Sequence, residues 1–315
     1  MRILFIALLF GYGLSLDLAA QIRAVPSAPS LSERGELVAM VPAYAPGKTY
    51  RFVSHNVVRM QLPAQGIREA VVEQQIRLDA SPRPDGRAGV ALKCRIERLK
   101  ADFRTGEDQV VYDSFNEQDR SSTLGQHFRD ALNRWITLTM SPGLKILSSS
   151  AGGRTGSGTK LPGVPQFGIE EMEKLVAEIP QGLPDGRVYP GSSWTVNGER
   201  ELDGLGSVNF DIKYHYTGDT VYDGHACHEV QVQGKLGGDA LIADNVGALS
   251  GGRMFFEGTS LSGRLLFDPA EGTVRLREQS LSMLMELPAR DGAEPFQIPV
   301  QQEASIRLLH VVPTS

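Results

Sequence analysis

The chain has 315 residues, 41% hydrophobic and 22% charged, with a net charge of -5. Those proportions are those of a folded globular protein and exclude wholesale disorder, while the negative balance argues against nucleic acid and anionic membrane surfaces as partners. Length allows one large or two ordinary domains, and 34 glycines, above the usual ~7%, suit a turn-rich β fold.

Met1-Arg2, an apolar stretch from Ile3 to Leu16 and the small-residue exit Leu18-Ala19-Ala20 have the form of a secretory signal peptide, residues 1–20. The stretch is short for a membrane span, which needs ~20 apolar residues, and no cysteine follows it to accept a lipid. The expected location is therefore exported, in the periplasm or outside the cell. Residues 21–45, with Pro26, Pro29 and Pro42, read as an extended mature N-terminus that need hold little order.

From residue 46 the pattern alternates with period two, the mark of strands with one buried face: Tyr50 and Phe52; Val58, Met60 and Leu62; Val72, Ile76 and Leu78; Val90, Leu92, Cys94 and Ile96. Two helices interrupt it. Thr123 to Trp135 begins with a capping box, Thr123-x-x-Gln126, and carries the stripe Leu124, Phe128, Ala131, Leu132 and Trp135. Ile169 to Ile179 has Met172, Leu175 and Val176 on one face and Pro180 after it. Between them, the Ser/Gly-rich run from Ser148 to Gly158 has linker composition.

Alternation returns with Phe210, Ile212, Tyr214 and Tyr216, then Val230 and Val232, then Leu281, Met283, Met285 and Leu287, then Ala304, Ile306 and Leu308, with a phase slip expected as a bulge at Glu278 to Ser280. Three landmarks recur in order. Pro46-Gly47-Lys48-Thr49-Tyr50 matches Pro190-Gly191-Ser192-Ser193-Trp194, Asp85-Gly86 matches Asp223-Gly224, and Ser141-Pro142 matches Asp268-Pro269. The expectation is a mainly β fold with a few short helices, built as two duplicated antiparallel modules of curved-sheet or half-barrel type. Module 1 spans 46–147, a linker and helix 148–180, and module 2 181–315.

No motif supplies chemistry. His225-Ala226-Cys227-His228 lacks a third metal ligand, and strand alternation turns His228 away from His225 and Cys227. His55, His127, His215 and His310 are scattered. Gly258-Thr259-Ser260-Leu261-Ser262-Gly263 has the wrong spacing for a nucleophile elbow. Gly153 to Lys160 lacks the lysine placement of a phosphate-binding loop, and Asp79 to Asp85 lacks the oxygen pattern of a calcium loop. Cys94 sits on the apolar side of its strand and Cys227 on a polar side. An even cysteine count in an oxidising compartment invites a disulfide, but these contexts argue against one. No catalytic, cofactor-binding or metal residue is assigned, and no cofactor is expected. The one positive hint is soft and apolar: Leu281, Met283, Met285 and Leu287, with Met254, Phe255 and Phe256 near in sequence, suit an adaptable apolar surface or ordinary core.

The signal peptide, the Pro-Gly-x-x-aromatic strand starts at Tyr50 and Trp194, the strand end Tyr112-Asp113-Ser114 and the segment Ile136-Thr137-Leu138-Thr139 resemble domain-of-unknown-function family 6263, a group of exported bacterial proteins, over residues 45–311. That resemblance implies export and β architecture and brings no site residues. The functional expectation is a non-enzymatic cell-envelope binding protein whose partner is a lipid or an envelope protein. An exported hydrolase with a site assembled only in the fold, and a structural envelope protein, are the alternatives.

Overall fold

A computed structural model describes residues 35–62, 66–132, 134–152, 168–202, 206–237, 239–241, 253–287 and 296–314. The expected signal peptide and the Gly153 to Lys160 segment lie outside the described residues. In chain order the elements are β1 (Val38–Ala39), β2 (Lys48–Leu62), β3 (Gly66–Pro82), β4 (Val90–Thr105), β5 (Asp108–Asp113), α1 (Glu117–Ser121), α2 (Thr123–Leu132), β6 (Ile136–Met140), β7 (Ile146–Ala151), α3 (Ile169–Glu178) and β8 (Arg187–Val188). They continue with β9 (Ser193–Leu202), β10 (Gly206–Tyr222), β11 (His225–Gly237), β12 (Asp239–Leu241), β13 (Arg253–Asp268), β14 (Thr273–Leu287) and β15 (Phe296–Pro313).

Thirteen of these strands form one antiparallel sheet that does not close into a barrel. Its main path runs β9-β10-β11-β13-β14-β15-β2-β3-β4-β6-β7, with β5 on the far half of β4 and β12 bridging β10 and β13. The remaining strands, β1 and β8, make a separate two-stranded ladder. Each half follows the same route: β2-β3-β4-β6-β7 in the first and β9-β10-β11-β13-β14 in the second. The three recurring landmarks fall at equivalent places on that route: before its first strand, in its second hairpin and in its last. The halves are joined edge to edge, because β15 pairs with β2 from Val300↔Met60 to Pro313↔Lys48.

Alternation explains which face is buried. Tyr50, Phe52, Val58, Met60, Ile76, Leu78, Leu92, Cys94 and Ile96 all turn inward, as do Phe210, Ile212, Tyr214, Tyr216, Val230 and Val232, into one continuous core. Single strands are longer than the apolar runs suggest: Tyr50 to Met60 belongs to one strand, since Arg51, Val53 and His55 fill its outer side. The slip placed at Glu278 to Ser280 lies elsewhere. Register with β15 is unbroken from Leu276 to Leu287, and the irregularity falls opposite Leu266/Phe267, between Val274 and Leu276. It turns Leu276 onto the outer face, where it packs with Cys227 and Leu266.

α2 and α3 match the apolar stripes, with two corrections. The N-cap of α2 is Ser122, whose Oγ accepts from Gly125 N at 3.1 Å and whose carbonyl accepts from Gln126 N at 2.9 Å. The helix stops at Leu132, so Trp135 is off the stripe and lies against Lys93 and Arg95. Phe128 meets Tyr112 at 5.1 Å in the core, and α3 buries Met172, Leu175 and Val176. The end of the 21–45 segment is also ordered: Met40 and Tyr44 are core residues, and Ala43 N donates to Gly272 O at 2.7 Å.

Candidate functional site

The outer face of the sheet is polar, and one part of it is concave. A groove of about 600 Å³ crosses β11, β13, β14, β15 and β2 and is lined by Glu229, Gln231, Gln233, Ser262, Arg264, Glu278, Ser280, Glu303, Ser305 and His55. Its floor is a single cross-strand row in register: Gln231↔Arg264, Arg264↔Glu278, Glu278↔Ser305 and Ser305↔His55. Period two puts every second residue of these strands on this side, and the choice of Gln, Ser and Glu there keeps it solvated.

Gly263 sets the spacing of β13 and β14 beneath the groove. A Cβ at that position would lie 2.1 Å from the carbonyl oxygen of Glu278, so only glycine lets β13 approach β14 this closely. Arg264 and Glu278 pair across the floor at 2.7 Å, and Glu303 at the rim meets Arg59 at 3.1 Å. The side chains of Glu229, Gln231, Gln233, Ser262 and Ser280 have no partner among the described residues, which leaves an acid, two amides and two hydroxyls for a ligand.

A second polar cluster lies at the start of β11, on the inward side. His228 Nδ1 is 2.6 Å from Asp219 Oδ1, and Tyr216 Oη donates to the same oxygen at 2.8 Å. His228 stacks on Phe267 with centroids 6.4 Å apart. Burial pushes the Tyr216 phenol well above its usual range, reinforced by the Asp219 carboxylate. Burial would raise Asp219 as well, but the hydrogen bonds from Tyr216 and His228 outweigh it and hold the carboxyl low. The cluster sits beside the register shift between Tyr216 and Gly218 and ties the two strands together there.

The other residues selected from the sequence are dispersed. His225 and Cys227 face outward and His228 inward, as alternation requires. His225 reaches Asp268 at 3.8 Å, and Cys227 is buried with Leu266 and Leu276. His215 shares a hydrogen bond of 2.9 Å with Ser193, His310 meets Arg51 at 3.0 Å and His127 packs on Phe128. Gly258 to Gly263 is within β13, and of its hydroxyls Ser262 lines the groove. Asp79 accepts from Thr49 and Arg77, and Asp85 from Arg83, so these acids serve local pairs. Among the described residues no group of three His, Cys, Asp or Glu side chains is placed to hold a metal. Leu281 and Met283 are buried in the core, whereas the side chains of Met285, Leu287, Met254, Phe255 and Phe256 lie outside the description. Cys94 and Cys227 are both free. The groove was missed because it is made by cross-strand register between distant segments; its local signal was the run of Ser, Gln and Glu on the polar side of β13 to β15.

No family model and no curated protein matches the chain. Among solved structures it is similar to lipovitellin, described for its lipid–protein interactions, at 10% identity and a TM-score of 0.46 over 86% of this chain; it spans 26% of that chain. It is also similar to a DUF1329 family protein from Desulfovibrio piger, at 9% identity and a TM-score of 0.20 over 84% of this chain and 87% of that one. DynF from Micromonospora chersina is a third, at 8% identity, a TM-score of 0.21 and coverage of 91% and 92%. No helix among the described residues is long and apolar enough to cross a membrane.

Proposed function

We propose that the chain is a non-enzymatic binding protein of the cell envelope, a member of domain-of-unknown-function family 6263, that takes a protein partner on the outer-face groove. The observation that supports this reading is the groove itself: a concave, solvated surface on which Gln231, Gln233, Ser262, Ser280 and Glu229 have no side-chain partner among the described residues. Such groups lose little by exchanging water for a partner's hydrogen bonds and give direction to the contact. A photo-crosslinking residue placed at Gln231 or Ser280 in cells should form a discrete adduct with one envelope protein, and the same residue at exposed Val221 should not. Equal adducts at all positions, or none, would remove the proposal.

The apolar-ligand form of the same reading rests on the inward side of β14, where Leu281 and Met283 already pack in the protein's own core. Native mass spectrometry of chain purified from an envelope fraction separates the two: a retained lipid supports the apolar form, and ligand-free protein that still crosslinks at Gln231 supports the groove.

A further inference from the structure

A row of arginines, flanked by His310, crosses the outer face away from the groove. His310 on β15 stands opposite Arg51 on β2, Arg51 opposite Arg77 on β3, and Arg77 opposite Arg95 on β4. The row ends on Trp135, just before Ile136, which pairs with Cys94. Lys93 Nζ and Arg95 Cζ are each 4.6 Å from the indole centroid, and Arg77 Cζ is 5.9 Å from it. Directly opposed like charges in a sheet are destabilising, and a single aromatic face relieves only part of that.

Two carboxylates offset the row without neutralising it. A bulge in β4 leaves Glu97 between Ile96, paired with Ile76, and Arg98, paired with Gln75. Its carboxylate therefore reaches Arg51 at 2.9 Å, Arg95 at 3.2 Å and Arg77 at 3.9 Å, while Asp79 takes Arg77 at 2.8 Å. Arg51, Arg77, Arg95 and Lys93 set against Asp79 and Glu97 leave two positive charges, on a chain whose net charge is -5. Lys93 is exposed and pairs with no carboxylate among the described residues, and Arg95 Nε is buried without a hydrogen-bond partner. Internal pairing thus accounts for half of the charge and leaves the rest without a counter-carboxylate among the described residues.

We infer that this row is a binding site for a phosphate-type oxyanion, free or carried on a lipid headgroup, with Arg95, Arg77 and Lys93 as its ligands and the Trp135 ring gathering their charged heads. Guanidinium forks match the oxygens of such a group two at a time, and a lysine adds a mobile charge. Salt screens the attraction, so it is strongest at low ionic strength.

The test titrates the purified chain at low salt with inorganic pyrophosphate by calorimetry, and measures its flotation with phosphatidylglycerol-containing vesicles against phosphatidylcholine vesicles. Trp194 is 1% exposed, so solvent-accessible tryptophan emission reports on Trp135. Saturable pyrophosphate binding with an emission change points to a free oxyanion, and selective flotation with phosphatidylglycerol to a headgroup; either supports the site. Arg95→Gln should weaken whichever is seen by about tenfold, the worth of one charge-assisted hydrogen bond. Lys93→Gln, which breaks no ion pair and removes only the contact with Trp135, should weaken it severalfold while the protein still unfolds cooperatively. No binding of either probe, or binding that both variants leave intact, overturns the inference.

Discussion

Arg277, on the inward side of β14, donates from Nη1 to the carbonyl oxygens of Gln181 at 2.6 Å and Glu178 at 3.2 Å, so a strand side chain closes the C-terminal end of α3. The guanidinium is 5% exposed and also lies 3.9 Å from the Glu178 carboxylate. Helix ends leave carbonyls unpaired and carry partial negative charge, which a buried cation satisfies. Arg277→Met, similar in length but without donors, should lower unfolding free energy by about 2–4 kcal/mol in urea denaturation. An unchanged midpoint and slope would show that α3 holds its place without this contact.

The close approach of β13 to β14 beneath the groove depends on one missing methyl. Gly263→Ala would place a Cβ 2.1 Å from a backbone oxygen of the neighbouring strand, a clash no rotamer relieves. We expect a loss of about 1–3 kcal/mol as the strands separate, together with loss of the Gln231 crosslink described above. Gly237→Ala is the control: the nearest atom to its Cβ would be 4.0 Å away, so stability should change little.

Acid should weaken the β4–β5 edge. Arg98 holds Asp113 through Nε at 3.1 Å and Nη2 at 2.5 Å, and this pairing keeps the Asp113 carboxyl below its usual range. A depressed carboxyl contributes stability above its unfolded value, about 3.9, and loses it as pH falls through the folded value. Asp113→Asn should therefore be less stable than the parent at pH 6, with the gap closing below about pH 4. A gap that is constant with pH would exclude this linkage.

Both thiols should be silent in the native protein. Burial pushes Cys94 far up and Cys227 up to about 11, and neither forms a disulfide. Cys94 faces the core and Cys227 the outer satellite cluster, on opposite sides of the sheet. Neither should react with a thiol reagent at pH 8 until denaturant is added, whereupon both should react without a reductant. Fast labelling of Cys227 alone would show that the cover of Tyr222, Leu266 and Leu276 opens.

Legibility followed the range of the interaction. Faces of strands and the two longer helices could be read because Tyr50, Leu78, Phe210 and Met172 report their own burial through local period. Trp135 falls off the stripe because α2 stops three residues earlier, and its ring lies instead against Arg95 of β4. Leu276 broke the alternation for a tertiary reason, the satellite cluster with Cys227. The groove and the cation row were invisible because both are made of register: Arg51, Arg77 and Arg95 are unremarkable in three separate strands and become a feature when they stand abreast.

The seam between β15 and β2 also orders events in time. β2 is made early, yet one of its edges stays without a partner until the chain beyond Phe296 is present. Closing a ladder over such a separation is slow, and an open edge with inward-facing Tyr50, Phe52 and Met60 can pair with the same edge of another molecule. A chain made from its N-terminus exposes that edge until its last strand is complete, so shortened or stalled forms should be found as aggregates.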